Sequence, residues 1–497
     1  MSTHENRMRS RRDFLKGAGA FTAGLALGSR IPSYATETAR KPNIIFVFAD
    51  QLRSQAVGCY GDKQARTPNL DRLASEGARF TNSISTWPVC SPFRAMLLTG
   101  RYPMSNGVVY NDLPIWDGQD SIATVLKARG YETGYIGKWH LSGGIRDTLP
   151  GRRLGFDYWM PVKGAMFTDS PTGGEPIWRP DAQTDCAERY IKAHSDKPFC
   201  LFLSWNPPHD PYIAPEKYMS MFPPSKMQLR PNTAEKDLVR EQLEKHPLDP
   251  GSQGGKERAG WRRRLDSDDG IREIMSGYYA ATQGLDVCIG RIMKTLEQAG
   301  IAEDTIFVFS SDHGDMLGSH RMCLKQEPFE ESISTPFIVR YPRRMPRGIT
   351  TDALLSPVDI MPTLLGLAEI PCPAGVEGLN LADAALGRRS DRQDALLIMK
   401  MLPGGNPWII NAATEWRGVR TKTHTYARLL DGGPWILYDN KNDPHQMKNL
   451  VNDPAQKALR DEMESRMKVL LEKAHDPCDT KAITKYIAEQ SKTRLPR

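Results

Sequence analysis

The run Asn43-Ile44-Ile45-Phe46-Val47-Phe48-Ala49-Asp50 is apolar at every interior position and closes on a carboxylate. Strands with one wet face alternate apolar and polar residues, so an unbroken run reads as a strand buried on both faces, the mark of a parallel sheet covered by helices. Thr305-Ile306-Phe307-Val308-Phe309-Ser310-Ser311-Asp312 repeats the layout, and Pro198-Phe199-Cys200-Leu201-Phe202-Leu203-Ser204-Trp205 supplies a third such run. The expected class is α/β, with a central, mostly parallel sheet flanked by helices. Open sheets of this kind bind ligands beyond the carboxyl ends of their strands. Asp50 and Asp312 are therefore expected to face one site.

Helical patterns lie between these strands. Pro68 to Glu76 reads as a short helix capped by Thr67, with Leu70, Leu73 and Ala74 on one face, and Ser121 to Arg129 as another, ended by Gly130. Ile271 to Gln298 carries Leu285, Ile289, Ile292 and Leu296 at core spacing and leads into the Asp312 strand. Gly134 to His140 reads as a strand and turn. Two stretches are loop-like: Asp147 to Pro180, rich in Gly, Pro and aromatics, and Pro223 to Gly270, whose Arg262-Arg263-Arg264 reads first as a solvated surface. Beyond residue 375 short spaced strands follow (Trp416 to Arg420, Thr423 to Arg428, Trp435 to Asp439), then a helix after Asp453-Pro454 with Leu459, Met463, Met467 and Leu470 on one face. The expected organisation is a large domain over 41–375 and a smaller C-terminal α+β subdomain over 376–497, an antiparallel sheet plus a helix.

Residues 1–35 read as an address. Ser10-Arg11-Arg12-Asp13-Phe14-Leu15-Lys16, the mildly apolar Gly17 to Leu27 and the small-residue site Ser33-Tyr34-Ala35 resemble a twin-arginine signal peptide. That resemblance implies passage through the twin-arginine translocase to the periplasm or beyond, with any modification made before export. Residues 1–40 hold seven Arg or Lys against three acids, so the net charge of +7 falls to +3 without them, too little to argue for nucleic acid. No apolar run reaches membrane-spanning length, so no stable membrane insertion is expected. The 8 cysteines form no CxxC pair, and Cys200 and Cys288 fall in apolar patterns, which argues against a disulfide framework.

One cysteine stands apart. In Val89-Cys90-Ser91-Pro92-Phe93-Arg94-Ala95-Met96-Leu97-Leu98-Thr99-Gly100-Arg101, Cys90 precedes a Pro-containing first turn and a short apolar helix that stops at Gly100. Cys90 is thereby expected at the N-cap, where unpaired N–H groups favour an anion. A lone cysteine there is ordinarily a buried thiol. Asp50-Gln51, Lys138-Trp139-His140, Pro208-His209-Asp210-Pro211, Asp312-His313 and Lys325 add three carboxylates, three histidines and two lysines, which are costly to gather without an anion and a cation to balance them.

The Cys-x-Pro-x-Arg spacing with Leu-Thr-Gly-Arg behind it, and the five clusters in this order, resemble the formylglycine-dependent (type I) sulfatases, arylsulfatase-like members of the alkaline phosphatase superfamily. The resemblance spans nearly the whole mature chain and implies an alkaline-phosphatase-like fold and hydrolysis of a sulfate ester of an aryl alcohol or carbohydrate. It implies that a maturase oxidises Cys90 to formylglycine, whose hydrate offers one hydroxyl to attack sulfur and a second to expel sulfate. A divalent metal would be held by Asp50, Gln51, residue 90, Asp312 and His313. Arg94 and Lys138 would hold the hydrate, His140 would take the second hydroxyl's proton, and His209 and Lys325 would bind sulfate and protonate the departing oxygen.

This chain departs from the common pattern at three places. Phe93 stands where Ser is usual, and Gln51 and His313 stand where Asp and Asn are common. Oxygen ligands make Ca2+ the first expectation, with Mn2+ or Mg2+ as alternatives, since an imidazole leans toward a transition metal. The Asp-Gln and Asp-His versions also resemble phosphonate monoester and phosphodiester hydrolases of the superfamily, the main alternative. An inactive carbohydrate-binding relative would lack a ligand or a lysine, and none is missing. Trp159, Phe167 and Trp178 are the aromatics expected to pack on a sugar ring.

Overall fold

The computed structural model describes residues 40–143, 152–162, 166–170, 174–234, 260, 263–388, 392–402 and 415–494. The signal-peptide reading falls outside them. The main sheet is built from β1 (Asn43–Asp50), β2 (Ala78–Ser83), β3 (Glu132–Gly137) and β4 (Tyr158–Pro161), then, after the small hairpin of β5 (Phe167–Thr168) and β6 (Ile177–Trp178), from β7 (Phe199–Pro208), β8 (Thr305–Ser311), β9 (Phe337–Arg340) and β10 (Ile349–Leu355). Its order is β10-β2-β9-β8-β1-β7-β3-β4. β1 is central and parallel to both neighbours, β7 and β8, and only β9 runs antiparallel to its neighbours.

The continuous hydrophobicity of β1 is explained by what covers its two faces. Ile45, Val47 and Ala49 pack into one core with the helices Arg179–Ala193 and Asp268–Gln298, while Ile44, Phe46 and Phe48 pack into the other with Phe93, Leu97 and Leu98 of the helix Cys90–Thr99 and with the helix Pro357–Leu367. A period-two side chain alternation thus feeds two apolar layers.

The helices fall close to where periodicity puts them. Pro68–Glu76 matches, although Thr67 makes no cap bond to that helix; its hydroxyl accepts from Gly58 N at 2.8 Å instead. Ser121 caps Ile122–Lys127 through a capping box with Thr124, and Ser267 caps Asp268–Gln298. The stretch after Asp147, read as loop, supplies β4, a short Pro-ended strand at the sheet edge where a missing N–H is tolerated. Beyond residue 375, β11 (Ala395–Lys400), β12 (Trp416–Thr421), β13 (His424–Leu429) and β14 (Gly433–Asp439) form a four-stranded antiparallel sheet, crossed by the helix Lys457–Lys473 and followed by the helix Thr480–Arg494. All eight cysteines are free thiols, with Cys200 and Cys288 in the core. Among the described residues no helix is long and apolar enough to cross a membrane.

Candidate active site

Asp50 closes β1, and Asp312 follows β8 by one residue, its N–H donating to Ala49 O at 3.2 Å. Parallel pairing therefore fixes the two carboxylates side by side. The β1–β7 register slips between Phe48 and Asp50, which sets Asp50 opposite Pro208, one residue before His209. Gln51 turns away in a left-handed conformation (φ 72°), and its N–H, like that of His313, donates to Asp312 Oδ1 at 2.9 Å.

Val89, extended, is the N-cap of Cys90–Thr99, so Cys90 is the first helical residue rather than the cap. The difference arises because Pro92 occupies the first turn, where its missing N–H costs nothing, and the Val89 carbonyl takes the first helical bond from Phe93 N. The sulfur is buried, 3.3 Å from His313 Nε2, 3.5 Å from Asp50 Oδ1 and 3.6 Å from Lys138 Nζ. One turn on, Arg94 Nη2 donates to Asp50 Oδ2 at 2.9 Å and Asp312 Oδ2 at 3.1 Å, and Nη1 to Ser204 Oγ at 2.7 Å and Lys138 O at 2.6 Å. Asp50 and Asp312 are fully buried and Arg94 is 1 % exposed, so this guanidinium is the clamp that lets two carboxylates share a dry site.

Lys138 reaches the site because Gly137 (φ 106°) brings the chain against β7: a Cβ at Gly137 would meet Ser204 O at 1.9 Å. Lys138 Nζ then donates to Asp50 Oδ2 at 2.5 Å. His140, also left-handed (φ 60°), donates from Nε2 to Asp112 Oδ1 at 2.8 Å. Across the site, Lys325 Nζ donates to Gln51 Oε1 at 2.5 Å and to His209 Nε2 at 2.8 Å, while His209 Nδ1 faces Asp210 O at 2.8 Å. Lysine has no acceptor, so His209 carries its proton on Nδ1.

The charges shape one another. Burial would raise the Cys90 thiol, but Lys138, Lys325 and His313 more than reverse this and hold it well below its usual value. Burial and the Cys90 thiolate push Asp50 up, yet Lys138, His209 and Arg94 bring it down overall; Asp312 is raised, by burial and then by Asp50. The carboxylates and the acidified thiol are thus balanced by Arg94 and Lys138 in a buried cluster that still offers oxygen and sulfur ligands to a cation.

Ligand atoms of Asp50, Cys90, Asp312 and His313 all lie within 4.8 Å of one another, a spacing that fits one divalent ion. His313 Nδ1 donates to Gly314 O at 3.0 Å, which leaves Nε2 as the nitrogen facing the cluster. Gln51 stands beside this cluster: its amide nitrogen donates to Asp315 Oδ2 at 2.5 Å and its oxygen accepts from Lys325 at 2.5 Å, so a cation that took this oxygen would compete with that lysine.

All ten residues singled out in the sequence converge here, and three contributors were missed. Asp315 holds Gln51 and accepts from Tyr212 at 2.7 Å; Ser204 anchors Arg94; Asp112 meets His140. Asp315, two residues beyond His313, was the only one with a positional signal. His320 sits apart, 3.3 Å from Asn232 Nδ2 and packed on Phe329. Trp178 does not offer a face to a sugar: it is buried against Tyr218, because it immediately precedes the Arg179–Ala193 helix that packs into the core. Trp159, half-buried, packs on Trp139 and Tyr135. Arg263 and Arg264 are exposed, as expected of a solvated surface.

A buried charge cluster beyond the strand ends of a mostly parallel, helix-flanked sheet defines an alkaline-phosphatase-like hydrolytic centre. The chain belongs to the sulfatase family, whose model matches residues 42–370, and a second model, N-sulphoglucosamine sulphohydrolase, C-terminal, matches residues 318–473. It is 36 % identical over 446 residues to an ulvan-active sulfatase of Formosa agariphila, covering 86 % of this chain and 80 % of that protein. It is 29 % identical to an endo-4-O-sulfatase of Bacteroides thetaiotaomicron, covering 94 % and 98 %. A structure solved in complex with its substrate D-glucosamine-2-N,6-O-disulfate superposes with a TM-score of 0.75 at 25 % identity, covering 88 % of this chain and 99 % of that one. The protein is thus a sulfate ester hydrolase.

Proposed function

We propose that the protein is exported and removes sulfate from a sulfated carbohydrate, using formylglycine made from Cys90 and a Ca2+ ion. The observation that carries this reading is the position of the Cys90 sulfur: at the head of a helix, 3.5 Å from Asp50 and 3.3 Å from His313, with Arg94 bridging Asp50 and Asp312 behind it. No packing role explains a sulfur with that company, whereas a nucleophile at residue 90 would stand directly over a metal.

Asp50, Asp312, His313 and residue 90 would hold the ion, which when bound polarises sulfate oxygens and lowers the pKa of an attacking hydroxyl. Arg94 orients Asp50 and Asp312 and keeps the floor of the site neutral. Lys138, 3.6 Å from the residue 90 side chain, would pair with charge on the sulfate as well as with Asp50. His209 and Lys325 stand together on the opposite side, with the Lys325 ammonium able to pass a proton through His209 Nε2 to a departing alkoxide. A carbohydrate substrate is supported by the ulvan-active relative and by the glucosamine disulfate complex. The maturase and the translocase are proposed as partners from the residue 90 and residue 1–35 patterns.

The test is a turnover screen of the purified, matured enzyme on sulfated mono- and polysaccharides, an aryl sulfate and an aryl phosphonate monoester. Highest kcat/KM on a sulfated saccharide supports the reading; a large preference for the phosphonate overturns it.

A further inference from the structure

The loop that carries Asp112 is fastened to the head of the Cys90 helix. Asn111 Oδ1 accepts from Ser91 N at 2.9 Å, and Asp112 N donates to Ser91 Oγ at 3.3 Å. That hydroxyl in turn donates to the carbonyl of His140 at 2.6 Å. One side chain, Ser91, thereby ties together the backbones of Asp112 and His140, and both adopt φ 60°, a left-handed conformation that costs a non-glycine residue about 1 kcal/mol or more. The outcome of this tethering is a single side-chain contact, His140 Nε2 to Asp112 Oδ1 at 2.8 Å. His140 Nδ1 is buried, and the His140 side chain interacts with that of Cys90.

We propose that Asp112 is a positioning residue of the sulfatase reaction: by accepting from Nε2 it holds His140 in the Nε2–H tautomer, so that the Nδ1 lone pair is presented to residue 90. An exposed His–Asp pair by itself is worth little. Here the pair is locked by the residue next to the nucleophile, and a carboxylate accepts only, so Nε2 keeps its proton and the neutral ring is the Nε2–H tautomer.

The consequence for chemistry rests on the proposed formylglycine reading. At sulfate release, the O–H bond of the hydroxyl on residue 90 that did not attack sulfur breaks and its proton goes to His140 Nδ1. The electron pair left on oxygen closes the carbonyl, and the C–O bond to sulfate breaks with its pair leaving on sulfate. Asp112 stays ionised and stabilises the imidazolium that forms. The proton later returns to water when the aldehyde is rehydrated.

Asp112→Asn tests this, because an Asn amide can donate to Nε2 and drive the proton to Nδ1. Nitrogen NMR of the 15N-histidine-labelled protein in its unmodified cysteine form should show His140 as the Nε2–H tautomer, and Asp112→Asn should move it to Nδ1–H. In the matured enzyme the same variant should lose on the order of 100- to 10,000-fold in kcat, with KM falling in step so that kcat/KM changes little, sulfate trapped on residue 90 after rapid quenching, and partial recovery in Asp112→Glu. An unchanged tautomer, or a kcat within about twofold of wild type, overturns the inference. Aldehyde at residue 90 with an unchanged tautomer overturns the inference alone, whereas a thiol there in protein that still turns over sulfate overturns the reading it rests on.

Discussion

The Lys325 ammonium donates to His209 Nε2 across 2.8 Å, so a cation and an imidazole from distant parts of the chain act at one point of the site. Lys325 is 1 % exposed and its other bond goes to Gln51 Oε1. In the proposed reaction these two groups meet the departing oxygen as one unit and should not contribute additively. Lys325→Ala and His209→Ala are each expected to lower kcat/KM by about 100- to 10,000-fold, with the double variant losing little more than the worse single one. Steady-state kinetics on an activated aryl sulfate and on an alkyl sulfate check it: the loss should be larger for the alkyl ester, whose leaving group needs the proton more.

Arg94 makes four hydrogen bonds in the floor of the site, two of them to buried carboxylates. Removing it strands Asp50 and Asp312 without their shared partner. Arg94→Ala should cost roughly 3–5 kcal/mol of stability in chelator, the usual scale for breaking a buried ion pair. A divalent cation would replace the lost charge, so the variant should gain more in melting temperature from added Ca2+ than wild type does. Thermal melts in EDTA and in Ca2+ read this directly; equal gains in the two proteins would contradict a cation between these carboxylates.

Glu331 offers a pH test away from the site. Burial would raise its carboxyl, but Arg230, 3.2 Å away, and His320, together with a bond from Asn232 at 2.8 Å, hold it down at about 2 against an ordinary 4.5. A carboxyl depressed in the folded state binds fewer protons there than in the unfolded chain, so its stabilisation is complete above pH 4.5 and is lost as pH falls toward 2. Glu331→Gln should therefore cost on the order of 3 kcal/mol at pH 7, and the gap from wild type should narrow in melts taken at falling pH below 4.5.

Much of this centre was legible because strands buried on both faces cannot hide their composition. Asn43–Asp50 and Thr305–Ser311 announce a parallel sheet, and the rule that such sheets bind ligands at their carboxyl ends then pairs Asp50 with Asp312. Residues that act through partners brought in by chain reversals were not legible. Asp112 is one acid in a polar loop until Ser91 draws it to His140, and Ser204 is one hydroxyl in an apolar strand until Arg94 reaches it. The one-residue shift at Cys90 and the burial of Trp178 have the same origin: an intrinsic preference for a cap or for a sugar face is weaker than the packing of the helix that follows.

Residue 90 decides whether this geometry is a reaction centre or a buried thiol. Mass spectrometry of the peptide holding residue 90, from protein produced beside a formylglycine-generating enzyme and assayed for sulfate release in the same preparation, is the direct measurement. The expected result is an aldehyde at residue 90 in amounts that track activity, with none and no turnover in Cys90→Ala. Full sulfate release from protein whose residue 90 is entirely thiol would contradict it.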